Sequence, residues 1–179
     1  MPDKNKILAI CGSTRASSTN INLIKAIQDL AKEVFVIEIF EGLSGILHFN
    51  PDLDNSNPPV QVTAFRDKLK QAEGILICTP EYAMGVPGSL KNAIDWTVSS
   101  CEFSHKPTTL ITASSSGVKG HASLLDTLKI IEAEISDETQ LLISYCKTKI
   151  SNDCKITDEK TLKEVKALIN SFVKIISAK

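Results

Sequence analysis

The chain carries almost no net charge, −1 over 179 residues. That removes the electrostatic case for nucleic acid, where a basic stripe is expected, and for an anionic membrane surface. Long apolar runs are missing as well. The first one, residues 7–11, follows the polar lead 1–6 and falls far short of a signal-peptide core or a membrane span, so the expected location is the cytoplasm. Five cysteines, Cys11, Cys78, Cys101, Cys146 and Cys154, make an odd number with no C-x-x-C pair, which argues against a disulfide framework or a zinc site. Of the three histidines, His48 and His105 have no partner spacing. No Ser-His-Asp order, carboxylate pair or metal-ligand cluster stands out, so hydrolytic and metal chemistry lack support. Repeats, low-complexity tracts and linker-like breaks are absent too, and the length suits one domain, 1–179.

What the chain does have is alternation. Short β-rich apolar runs at 7–11, 34–40, 74–79, 108–113 and 141–146 are each followed by apolar residues at helical spacing, at 20–31, 59–71, 88–99, 120–132 and 157–176. Strands apolar on both faces, alternating with helices, predict an α/β fold whose parallel sheet is covered on both sides. Such a sheet binds ligands beyond the C-terminal ends of its strands, near the point where the winding reverses. Only one connection is long: residues 41–58, rich in Gly, Pro and Asn, are expected to form a functional flap or a subunit contact.

Residues 12–20 read Gly-Ser-Thr-Arg-Ala-Ser-Ser-Thr-Asn between the first strand and the first helix. A small, hydroxyl-rich turn there leaves the first N–H groups of the helix free, and those donors with the helix dipole attract a phosphate. Ser13, Ser18, Thr19 and Asn20 add short donors, and Arg15 adds a planar fork matched to phosphate oxygens. An ordinary N-cap accounts for one hydroxyl of this set but not for the arginine and the other polar groups. Known phosphate and nucleophile spacings fail. A P-loop needs glycine where Ser17 stands, a dinucleotide fingerprint needs glycine at Thr14, and a cysteine phosphatase needs arginine at Ser17, so Cys11 reads as a strand residue.

The loop after the third strand, Thr79-Pro80-Glu81-Tyr82-Ala83-Met84-Gly85-Val86-Pro87-Gly88, has a fixed path set by two prolines and two glycines. A planar heterocycle needs N–H and C=O groups at its polar edge and apolar surface over its face. Pro80, Glu81, Tyr82, Ala83, Met84 and Gly85 can present both, although the same loop also reads as a structural turn with Tyr82 as core filler. Trp96, on the next helix, is expected to pack inward. After the fourth strand, Ser114, Ser115, Ser116 and Gly117 form a small-residue loop able to hold the far edge of the same ring. His121 beyond it is a candidate proton donor, or more simply a surface or capping residue.

These residues resemble the NADPH-dependent FMN reductases, flavodoxin-like proteins that include quinone, azo-dye and chromate reductases. The first loop matches G-S-x-R-x-x-S-x-N at Gly12, Ser13, Arg15, Ser18 and Asn20; the second matches T-P-E-Y at Thr79 to Tyr82 and P-G-x-L-K-N-A-I-D-W at Pro87 to Trp96. Similarity extends to Phe49-Asn50-Pro51-Asp52-Leu53 and Ala72-Glu73-Gly74, and so over nearly all of residues 6–176. The resemblance implies a flavodoxin-like three-layer sandwich with a five-stranded parallel sheet in order 2-1-3-4-5. It implies FMN as cofactor, its phosphate in the first loop and its ring between the second and third. It also implies NADPH or NADH as reductant, a small acceptor such as free flavin or a quinone, and a homodimer or homotetramer. Two departures stand out: Ala83 where the family commonly has asparagine, and Lys119-Gly120-His121 where it often has paired glycines. Chemistry would then run on the flavin, aided by backbone near Tyr82, Ala83, Met84 and Gly85, with no catalytic side chain. A flavodoxin-type electron carrier and a non-catalytic flavin-binding module are the competing readings.

Overall fold

The computed structural model describes residues 4–178; residues 1–3 and 179, the ends of the expected domain, lie outside the described residues. Five strands, β1 (Asn5–Cys11), β2 (Phe35–Phe40), β3 (Gly74–Thr79), β4 (Thr108–Ala113) and β5 (Gln140–Ile143), pair in parallel in the order β2-β1-β3-β4-β5. Helices α1 (Thr19–Leu30), α2 (Val60–Gln71), α3 (Gly88–Asp95), α4 (Val118–Ile130) and α5 (Glu159–Ser177) follow the strands in turn. The flavodoxin-like order expected from the resemblance is the one found.

Alternation along each strand builds two cores. Ile7, Ala9 and Cys11 of β1, with Leu76 and Cys78 of β3 and Ile111 and Ala113 of β4, face α1 and α5 through Leu23, Ile24, Val165 and Phe172. Leu8, Ile10, Ile75, Ile77 and Leu110 face the other way, onto Phe65, Leu90, Trp96 and Leu124 of the α2, α3 and α4 layer. Every residue of β3 and β4 is buried, because both faces are covered and neither strand lies at an edge.

Register then decides where a ligand can sit. Cys11 lies opposite Cys78, Thr79 opposite Thr112, and Ala113 opposite Ile143, so the strand ends form one rim. The chain leaves β1 for β2 on one side and then crosses to β3 on the other. The winding therefore reverses between β1 and β3, and a crevice opens beyond their C-terminal ends.

Three expectations are corrected. The last strand ends at Ile143 instead of residue 146, because the following backbone turns aside to bond the loop after β4: Ser144 Oγ donates to Ser116 O (2.8 Å), Tyr145 N to Ser115 O (3.0 Å) and Cys146 N to Ser114 O (3.1 Å). Helix α3 ends at Asp95 instead of residue 99. There the Thr97 hydroxyl donates to Ile94 O (2.7 Å) and the buried Arg66 guanidinium claims Trp96 O (2.9 Å from Nε). The long 41–58 connection is strapped down, not hinged as a flap. Asn92 Oδ1 accepts from Phe49 N (2.7 Å), the Trp96 indole N–H donates to Leu47 O (2.8 Å), and Asp54 pairs with Arg66 at 2.7 Å.

Candidate functional site

The turn between β1 and α1 is held by its ends. Gly12 N donates to Cys78 O (2.9 Å), and a Cβ at Gly12 would lie 2.2 Å from Thr79 Oγ1, so only glycine lets β1 and β3 close up there. Ser18 is the N-cap of α1, its hydroxyl accepting from Asn20 N at 3.2 Å. Between Ser13 and Thr19 only Arg15 N has a protein acceptor among the described residues, the Ser13 hydroxyl at 3.4 Å. The rest of that run offers its backbone N–H groups outward at the positive end of α1. Asn20 has a different part from the free donor expected of it. Its amide donates to Ala113 O (3.1 Å) and accepts from the Cys78 thiol (3.3 Å), which ties α1 to β4 and β3.

Glu81 couples the second loop to the third. Its N–H donates to the Ser114 hydroxyl (3.2 Å), and its carboxylate accepts from Gly120 N (2.7 Å) and Gly117 N (3.4 Å) at the start of α4. A negative group there complements the helix dipole. The fit is close, since a Cβ at Gly120 would come 2.9 Å from Gly85 O. The tip of the second loop is a tight turn in which Tyr82 and Gly85 exchange both backbone bonds (3.1 and 2.9 Å), with Ala83 (φ 49°) and Met84 (φ 61°) left-handed. That turn consumes the N–H groups of Tyr82 and Gly85. Among the described residues those of Ala83, Met84 and Val86 remain without a protein acceptor.

A cavity of about 400 Å³ lies on this rim, a size suited to a drug-sized ligand. Of the sequence-expected residues, Ser13, Arg15, Ser18, Thr19, Asn20, Pro80, Glu81, Tyr82, Ser114 and Ser115 line it. Ala83, Met84, Gly85, Ser116 and Gly117 lie outside its lining; Gly117, left-handed at φ 93°, caps α4 instead. Sequence reasoning missed the fourth wall, Tyr145, Cys146, Lys147 and Thr148 after β5, because those residues were assigned to the strand and the helix-linking segment. Tyr145 itself is left-handed (φ 55°) and exposed, a conformation that only the turn away from the sheet explains.

Burial pushes the Cys11, Cys78 and Cys146 thiols upward, Cys78 furthest, so none is a ready thiolate. His121 is half-buried with both ring nitrogens engaged: Nδ1 meets the Thr112 hydroxyl (2.9 Å) and Nε2 meets Gln140 Oε1 (3.0 Å), away from the cavity lining. Desolvation holds its pKa below the usual value, against a smaller opposing effect of Gln140.

The NADPH-dependent FMN reductase family model matches residues 5–147. The chain belongs to that family. An NAD(P)H-dependent FMN reductase of Pseudomonas aeruginosa is 30% identical over 165 residues, covering 89% of each chain. A quinone reductase of Escherichia coli is 27% identical over 184 residues, covering 98% of this chain and 97% of the relative. Among solved structures, the flavoenzyme NAD(P)H:(acceptor) oxidoreductase FerB of Paracoccus denitrificans superposes with a TM-score of 0.84 at 26% identity, over 97% of this chain and 98% of that one. These FMN reductase relatives favour the reductase over the electron-carrier and regulatory-module readings. FMN also fits the donor set: orphan N–H groups, hydroxyls and a guanidinium for a phosphate, beside an opening flanked by Tyr82 and Tyr145.

Proposed function

We propose that this protein is an NAD(P)H oxidoreductase that holds FMN at the rim and passes reducing equivalents to a small acceptor such as free flavin or a quinone. The observation that carries this reading is the run from Ser13 to Thr19, whose backbone donors and Arg15 converge on the same cavity as the second and third loops. Bound FMN supplies the hydride relay between nicotinamide and acceptor. In this reading Ser13, Arg15, Ser18 and Thr19 would hold the phosphate, and the free N–H groups of Ala83, Met84 and Val86, outside the cavity lining on the same loop as Tyr82, would be available to the ring edge where negative charge collects on reduction. Glu81 is a positioning residue that keeps the second loop against α4. Hydride transfer asks for alignment more than for a protein acid or base, which agrees with the raised thiols and the engaged His121.

The finer points rest on the same reading. We take the chain as a single FMN-binding domain working in the cytoplasm; among the described residues no helix is long and apolar enough to cross a membrane. Exposed Tyr82 and Tyr145 in the cavity lining, with exposed Met84 on the second loop and Val118 at the start of α4, support a homodimer or homotetramer with the ring near the subunit boundary. The test is an absorption titration of flavin-free protein with FMN, followed by NADPH without oxygen. A perturbed flavin spectrum that bleaches with NADPH and returns with a quinone is expected; protein that leaves the FMN spectrum unchanged would end the proposal.

A further inference from the structure

Two cavities on the rim share one wall. The pocket between the loops and a neighbouring groove of about 600 Å³ have three lining residues in common: Arg15, Thr19 and Lys147. Thr19 opens α1, where the orphan N–H groups are. Lys147 lies on the short 3-10 turn Cys146–Thr148 after β5. That turn is built on the third loop. Cys146 N donates to Ser114 O (3.1 Å), and the Thr148 N–H and hydroxyl both donate to Tyr145 O (3.1 and 2.9 Å). The backbone carrying Lys147 is therefore fixed while its side chain stays exposed.

The charge inventory at this wall is unbalanced. Among the described residues neither Arg15 nor Lys147 forms an ion pair. The pocket lining contains one carboxylate, Glu81, which is already engaged by the N–H groups of Gly117 and Gly120; the groove lining contains none. Two like charges facing one wall repel each other unless an anion lies between them. A phosphate monoester, which carries close to two negative charges at neutral pH, answers to two cations better than to one. The two are also complementary in kind, since arginine offers a planar fork and lysine a compact point charge.

We propose that Lys147 is a second phosphate-binding cation, meeting from the turn after β5 the same flavin phosphate that Arg15 and the start of α1 hold from the other side. This rests on the FMN reading above. The test compares the dissociation constants of FMN and of riboflavin, which lacks the phosphate, by flavin fluorescence quenching in the wild type and in Lys147→Gln, Lys147→Arg and Lys149→Gln. Lys149 lines neither cavity and serves as the charge-matched control. Lys147→Gln is expected to weaken FMN about tenfold or more while leaving riboflavin unchanged, and to flatten the salt dependence of FMN binding. Lys147→Arg retains most of the affinity, and Lys149→Gln binds as wild type. Equal losses for FMN and riboflavin would show a turn that merely props the ring site, and wild-type FMN affinity in Lys147→Gln would show a solvated lysine; either overturns the proposal. Wild-type protein that binds FMN no more tightly than riboflavin would instead overturn the phosphate cradle itself.

Discussion

Glu81 is where the second and third loops become one object, and its substitution can be worked through from the distances. Two oxygens accept from two N–H groups at the start of α4, one at 2.7 Å and one at 3.4 Å. The shorter contact dominates. A hydrogen bond to a charged group contributes about 1.5–3 kcal/mol, and because Glu81 is half-exposed the lower part of that range applies, so Glu81→Ala should cost about 1.5–2 kcal/mol. Glu81→Gln keeps a carbonyl oxygen for Gly120 but turns an NH2 toward the Gly117 N–H and loses the charge opposite the helix dipole, for a cost of about 0.5–1 kcal/mol. In a chain of this size each kcal/mol moves the melting temperature by about 2–4 °C. Urea unfolding of flavin-free protein, followed through Trp96, which is fully buried and the only tryptophan, reads both variants. FMN affinity should fall in the same order, as the second loop loses its tie to the third. A wild-type unfolding midpoint for Glu81→Ala, or equal losses in the two variants, would refute the assignment.

Three further outcomes are expected. Arg15→Ala should weaken FMN by about 1.5–3 kcal/mol in equilibrium titration, while riboflavin binding stays level. Ala83→Asn should stabilise the flavin-free protein by about 0.5–1 kcal/mol in thermal melts, because the left-handed backbone at φ 49° penalises alanine and suits asparagine. His121 has its folded-state pKa lowered mainly by desolvation, so near pH 6 the unfolded chain binds more protons than the folded one. Its contribution is fully present above the ordinary histidine value and is lost as pH falls through the folded pKa. Urea midpoints should therefore drop as pH is lowered from 7 toward 5, and His121→Gln should flatten that slope.

Local order in the chain was sufficient for much of this protein. Alternating apolar runs and helical spacing specify a covered parallel sheet, since the period of a run reports whether one face or both are buried. The Gly12 to Asn20 segment specifies a donor-rich turn at the start of α1, since its donors belong to one short stretch of chain. The tertiary structure alone decided how the other groups are used. Asn20 reads as a free donor until Ala113, 93 residues away, claims its amide. Glu81 reads as a turn residue until Gly120, 39 residues on, meets its carboxylate. His121 reads as a surface or capping residue until Thr112 and Gln140 engage its two ring nitrogens. Residues 144–146 read as the end of a strand until the loop after β4 draws them aside and brings Lys147 into the lining of the cavity that Arg15 also lines. Periodicity registers only neighbours within a few positions, whereas these partners are brought together by strand register and crossover, which no local pattern encodes.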